Sequence, residues 1–236
     1  MPTNKLLTAL AAEDRDRLSP FLTTSPMRLR LVLYKQDAAI DDVYFPCSGV
    51  LSLTRTMEDG RTAEVYAIGN EGMIGASVFF GDPLSHTEAL VQVAGDLAYK
   101  MPVAVFLREM ERHGAFYQRV MRYHHALNLQ IQQNTVCNAL HHVEHRCCRW
   151  LLTTGDRVGS DQFKLTHEFL AVMLGVRRAT VTVILGTLEN AGLIAAGQPG
   201  VITIANREKL MDASCECYTV VKTNFERLLP ERHQGS

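Results

Sequence analysis

Apolar residues recur along this chain with two different periods. From Met27 to Met101 they form short β-rich runs, LRLVLY, VYFPCSGVLSLTRT, AEVYAI, EALVQV and LAYKM. Turn formers separate them at Glu58-Asp59-Gly60, Gly69-Asn70-Glu71-Gly72, Gly81-Asp82-Pro83 and Gly95-Asp96. Short strands with regular turns predict an antiparallel barrel or sandwich. A helix over 6–22 is expected to precede it. After Pro102 the period becomes helical: one segment over 103–110, an interruption at Gly114, then a long helix to about Asn138 with no Gly or Pro. On a heptad frame Phe116, Val120, Tyr123 and Leu127 form a seam that degrades into Gln130, Asn134 and Cys137. Such a seam predicts a short coiled-coil-like contact between two copies, or a single helix packed on the barrel.

The stretch from Leu165 to Ile194, LTHEFLAVMLGVRRATVTVILGTLENAGLI, reads as two helices joined by a tight turn. Thr166 is an N-cap residue, and Phe169, Leu170, Met173 and Leu174 recur at helical spacing before Gly175 breaks the helix. In the second helix Val181, Ile184, Leu185 and Leu188 share one side, and Gly192 suits its end. At about 100° per residue, Arg178, Ala179, Thr182, Val183 and Gly186 fall on the opposite side. That face carries no acidic side chain before Glu189 and fits a DNA major groove. An ordinary helical hairpin is also amphipathic. Three details favour a helix-turn-helix: the spacing, the Arg177-Arg178 pair at the N-terminus of the second helix, and a hairpin signal over Ala195–Ala205, AGQPG then VITIA, in the place of a wing.

With 236 residues, 47% hydrophobic and 21% charged, the chain has the composition of a globular protein with ample core. No apolar run reaches the roughly 18 residues of a membrane span, and the N-terminus is too polar for a signal peptide, so a cytoplasmic protein without membrane contact is expected. A net charge of −1 argues against a protein that coats nucleic acid non-specifically. DNA contact must then come from a local cluster, doubled in a dimer. The six cysteines are expected to be reduced thiols, and no C-x-x-C pair is present. Cys215 and Cys217 form a C-x-C, and Cys147 adjoins Cys148. On one continuous helix His141, His145 and Cys148 would share a face at i, i+4, i+7, which is a weak metal candidate beside the plainer reading of a histidine-rich helix that packs against its neighbours. A cupin-like enzyme would need a His-x-His set, but the β region holds His86 alone, so no catalytic residues are expected.

The order β-roll, long helix, winged helix-turn-helix, with the motifs VYFPCSGVLSL, MEDGRTAEV, GNEGMIG, VCNALHHVEHRCCRWLL, LTHEFLAVMLGVRRATVT and CECY, resembles the Crp/Fnr family of bacterial transcription regulators over nearly the whole chain. The resemblance implies an α+β chain: a cyclic-nucleotide-binding-like jelly roll at 1–112, a dimerisation helix at 113–138 with Phe116, Val120, Tyr123 and Leu127 at the interface, and a DNA-binding domain at 139–236. It further implies a homodimer on a two-fold symmetric site in double-stranded DNA, with RNA polymerase as a further partner.

Family members that bind cyclic AMP carry a Glu soon after an Ile-Gly, and an Arg-Ser or Arg-Thr pair about ten residues later. Here Ala76 stands at the place of that carboxylate and His86 at that of the arginine, so the charge-assisted contacts are lost. The helix positions expected to meet adenine fall near Ile131 and Gln132. Cyclic AMP is therefore not the expected effector, and no cysteine precedes Cys47 to build the iron–sulfur cluster of another branch. Arg61, Gly72, Gly75, Ala76, Ser77, His86 and Thr87 could line a pocket for a small anion or nucleotide. An empty roll that serves as scaffold is the alternative. No cofactor is expected. At the DNA end, Arg178 matches the family's guanine-reading arginine; Ala179, Thr180, Thr182 and Val183 complete the reading face; and Thr166, His167, Arg177 and Gln198 are placed to meet phosphates. A metal or redox sensor on the His/Cys-bearing helix, with DNA binding as output, is the second reading.

Overall fold

The computed structural model of the chain describes residues 3–198 and 200–230. Its N-terminal strands are β1 (Thr23–Met27), β2 (Val32–Tyr34), β3 (Ala38–Ala39), β4 (Asp42–Pro46), β5 (Val50–Thr56), β6 (Thr62–Ile68), β7 (Leu84–Ser85), β8 (Glu88–Val93) and β9 (Gly95–Pro102). They pair antiparallel in the orders β1-β9-β4, β2-β8-β5-β6 and β3-β7. Two-sheet closure of this kind buries Leu51, Leu53 and Ile68 of β5–β6 against Phe45 and Met101 of β4 and β9. The run VYFPCSGVLSLTRT is two strands rather than one. Gly49 separates them at φ +76°, where a Cβ would stand 2.5 Å from the Val93 carbonyl oxygen.

The expected helix over 6–22 is broken into α1 (Lys5–Thr8) and α2 (Ala12–Leu18). Asn4 explains the first piece: its Oδ1 accepts from Leu6 N at 3.0 Å, and its Nδ2 donates to the Pro46 and Gly72 carbonyls at 2.8 Å each. Ala11 is extended, which ends any continuation into α2.

Beyond the roll run α3 (Val103–Glu111) and the long α4 (Ala115–Leu140). The seam on α4 does not face a second chain. Phe116, Val120, Tyr123 and Leu127 are 2%, 2%, 0% and 7% exposed within this one chain. Phe116 packs on Phe45 and Phe106, and the Tyr123 hydroxyl donates to the Met73 carbonyl at 2.8 Å. Periodicity located a buried stripe correctly, but it could not say which surface buries it, and the roll does. The opposite face of α4 carries Met121, His125, Asn128, Gln132, Thr135 and Ala139. Of these, Met121 is half-buried and the other five are exposed.

The C-terminal module comprises α5 (Val143–Val158), β10 (Gln162–Lys164), α6 (His167–Leu174), α7 (Arg178–Asn190), β11 (Ile194–Ala196), β12 (Val201–Ile204), α8 (Arg207–Asp212) and α9 (Cys217–Leu228). Trp150, Leu170, Val181, Leu185, Leu188 and Ile204 form its core, which also takes in Val50, Ala67 and Val93 of the roll. Polar contacts join the same two bodies. Arg157 Nε donates to Glu71 at 2.8 Å, and Glu64 accepts from both Ser52 and Trp150. Burial raises the Glu64 carboxyl above the usual carboxylate range, and its two donors partly offset this. Among the described residues no single helix is long and apolar enough to cross a membrane.

Candidate nucleic-acid interface and effector cavity

Thr166 caps α6, its hydroxyl accepting from Phe169 N at 3.3 Å, and Gly175 at φ +66° releases the chain into the turn. The axes of α6 and α7 meet at 104°, within the range of a helix-turn-helix. Arg177 is the N-cap residue of α7 and Arg178 its first residue, so both guanidiniums lie at the electropositive end of the helix. Arg177, Arg178, Ala179, Thr182 and Val183 are exposed and Thr180 is half-buried, while Val181, Ile184, Leu185 and Leu188 face inward. Val183 is 69% exposed, an apolar side chain presented to solvent beside two cations. Neither arginine has an acidic partner among the described residues. His167 Nδ1 lies 3.0 Å from the Thr182 hydroxyl, tying the entry of α6 to the exposed face of α7. Behind it β10, β12 and β11 form an antiparallel wing in that order. Gln198 is exposed at its tip, and Pro199 of the expected turn lies outside the described residues.

In the roll, a cavity of about 220 Å³ is lined by Gly75, Ala76, Ser77, His86 and Thr87, five of the seven residues expected there. Two expectations are corrected. Arg61 stands at the β5–β6 turn, 87% exposed and paired with Asp59 at 2.7 Å, because the hairpin carries it away from the cavity. Gly72 instead backs onto the Tyr123 ring, where a Cβ would sit 2.6 Å away. The helix residues that reach the cavity are Tyr123, His124 and Leu127, whereas Gln132 is bonded to Asn128. Ile40, Leu53, Tyr66, Met73 and Ile74 make the remaining wall mostly apolar. His86, at the place of the family arginine, is 61% exposed and meets Asp82 at 2.6 Å and Asp37 at 3.6 Å. These carboxylates raise its pKa, first through the hydrogen bond to Asp82.

The expected face of His141, His145 and Cys148 does not form. α4 ends at Leu140, His141 is extended at φ −98°, ψ 140°, and α5 begins only at Val143, so the i, i+4, i+7 geometry is lost. His145 Nδ1 lies 2.8 Å from the Ala213 carbonyl, and Cys148 is in the core of the C-terminal module with its thiol pushed up to about 11 by burial. Burial raises Cys147 further. His141 turns instead toward Cys137, Cys215 and Cys217. The sequence held a signal for this grouping in the Cys137-x-x-x-His141 spacing and the C-x-C, but the separation of 78 positions between Cys137 and Cys215 conceals it.

A β-roll enclosing a small cavity, joined by a long helix to an exposed helix-turn-helix with a wing, has the architecture of a DNA-binding regulator. Comparison with known proteins agrees with that class. Residues 30–113 match the cyclic nucleotide-binding domain family and residues 145–213 the Crp-like helix-turn-helix domain family. The chain belongs to the Crp/Fnr family of transcription regulators. Among solved structures it is similar to FixK2 from Bradyrhizobium japonicum, with a TM-score of 0.71 at 15% identity over 82% of this chain and 98% of that one. The CRP-family regulator TTHB099 from Thermus thermophilus gives 0.67 at 17% identity over 81% and 96%. CLP from Xanthomonas campestris, a c-di-GMP responsive global regulator, gives 0.67 at 13% identity over 83% and 100%. At these identities the structural likeness speaks for the fold alone. No curated protein matches the chain.

Proposed function

We propose that the protein acts in the cytoplasm as a homodimer that binds a two-fold symmetric DNA site, with α7 in the major groove. The observation that carries this is the outer face of α7: two arginines at a helix N-terminus, without acidic partners among the described residues, beside Ala179, Thr182 and Val183. Arg178 reads a guanine edge, because a guanidinium fork matches O6 and N7 of that base. Ala179 and Val183 offer methyl surface to thymine, Thr180 and Thr182 border them, and Arg177, Thr166, His167 and Gln198 hold phosphates. The two copies meet along the outer face of α4 through Met121, His125, Asn128, Gln132, Thr135 and Ala139, which follow one another at alternating steps of four and three. A seam this polar fixes register more than it adds stability. RNA polymerase is the downstream partner that the family resemblance supplies.

The effector is not cyclic AMP. Ala76 provides no carboxylate, and His86 is already matched to Asp82. In vitro selection of bound DNA by the purified protein tests the whole reading: enrichment of a palindrome with a guanine whose selection disappears in Arg178→Ala is expected, and no enrichment refutes it.

A further inference from the structure

We propose that Cys137, His141, Cys215 and Cys217 form a binding site for a single thiophilic divalent cation, zinc by preference, which pins the α8–α9 corner to the end of α4. The ligand atoms of these four residues all lie within 4.8 Å of one another. Cys137 Sγ is 3.5 Å from Cys215 Sγ, and Cys217 Sγ is 3.5 Å from His141 Nδ1. Tetrahedral zinc with bonds of about 2.0–2.3 Å needs ligand atoms about 3.4–3.8 Å apart, so small side-chain adjustments suffice. The three sulfurs are buried in a cluster of their own, apart from both apolar cores. Three thiolates and an imidazole select a soft or borderline ion against magnesium or calcium, and four protein ligands leave no open position, as in structural or sensory sites rather than catalytic ones.

The surroundings are those of a metal site. His141 presents Nδ1 to the sulfurs while Nε2 lies 3.3 Å from a Glu216 carboxylate oxygen, which fixes the tautomer with its lone pair on Nδ1. Gln133 Nε2 donates to Cys217 Sγ at 3.0 Å, compensating thiolate charge. A disulfide between Cys137 and Cys215 would use two of the four groups and leave Cys217, His141 and its carboxylate without a role. On metal binding the three thiols release their protons to solvent and no electrons move.

The test uses the full chain, reduced, stripped with chelator and titrated with cobalt(II), then zinc. Expected are thiolate-to-cobalt charge-transfer bands, the intense d–d bands of a tetrahedral complex, displacement by zinc, and saturation at a single ion per chain. Cys215→Ser and Cys217→Ser lose the bands with circular dichroism unchanged, while Cys148→Ser and His145→Ala keep them. Glu216→Gln lowers zinc affinity by about 10-fold or more. Absence of the bands from reduced wild-type protein overturns the proposal without reliance on any variant folding. So does full binding by Cys215→Ser and Cys217→Ser, or a Cys137–Cys215 disulfide in protein that takes up no cobalt once reduced. The titration contains no DNA, so its failure leaves the proposed DNA reading standing, and the reverse also holds.

Discussion

The two ends of the molecule treat charge in opposite ways. At the start of α7, Arg177 and Arg178 stand in solvent with no acidic partner among the described residues. At the mouth of the roll's cavity, His86 already has Asp82 at 2.6 Å, and Arg55 has Asp37 at 3.7 Å. A polyanion docks where cations lack counter-charges, since it then displaces only mobile ions. A phosphate at the roll would have to displace Asp82 from His86 first. This contrast supports the proposal that phosphate is met at the C-terminal module and not at the cavity of the roll, whose wall is mostly apolar.

Two faces of α4 extend the comparison and give the largest expected effect. Leu127 is 7% exposed inside the roll's core, so Leu127→Glu should place a carboxylate without a partner among apolar groups and destabilise the fold by about 3 kcal/mol or more. Chemical denaturation reads this directly, and soluble monomer of wild-type stability would contradict the placement. The double change Asn128→Glu, Thr135→Glu on the exposed face should instead leave the denaturation midpoint nearly unchanged. It sets like charges across the proposed two-fold axis at a cost of several kcal/mol, so sedimentation should show monomer. An intact dimer would move the interface elsewhere.

The distinction between those faces was only half legible in the sequence. Which α4 residues are buried followed from the spacing of Phe116, Val120, Tyr123 and Leu127, because burial by any partner leaves the same period. The identity of the partner depends on the roll's long-range closure, which no local pattern encodes. The helix-turn-helix was legible nearly residue by residue, because caps, breaker and apolar stripe all lie within Thr166–Gly192. The cavity was read in part: the Gly75–Ser77 and His86–Thr87 segments were found, while Arg61 was misplaced by a hairpin whose reach the sequence does not give. The thiol cluster was missed because two of its members lie one α5-to-α8 module away from the others, and because a helix break at His141 was not foreseen between Leu140 and Val143.

Next in size is the nucleotide prediction. With neither carboxylate nor free guanidinium, titration calorimetry with cyclic AMP should show no binding tighter than about millimolar, roughly 4 kcal/mol short of a micromolar site. A cavity of about 220 Å³ is also below the usual range for small-molecule sites of about 300–1,000 Å³. Micromolar binding would erase the contrast between the two ends.

Arg178→Ala should then cost about 1–3 kcal/mol per half-site and flatten preference at one symmetric pair of positions. Arg177→Ala should weaken all sequences alike and lower the salt slope by about one per protomer. The difference follows from direction: adjacent helical positions point about 100° apart, so both arginines cannot meet the base edges equally. Selection with each variant separates them. If both retain the wild-type preference, α7 is not the reading element.

The smallest effect tests the paired charge at the roll itself. Asp82, and secondarily Asp37, favour the protonated ring of His86, so its folded pKa lies above the ordinary value of about 6.5. A raised pKa means that the native state holds this proton more tightly than the unfolded chain. The resulting stability is fully present below about pH 6.5 and is lost as pH rises through the folded pKa. Because the ring is solvent-exposed, the gain is screened and best read site by site. In an NMR titration His86 should show a midpoint above that of a free histidine, and Asp82→Asn should bring the midpoint back down, with Asp37 leaving a small residue of the shift. If the midpoint does not move in Asp82→Asn, the pairing does not govern His86, and the cation at the cavity mouth is as available to an anion as the arginines of α7.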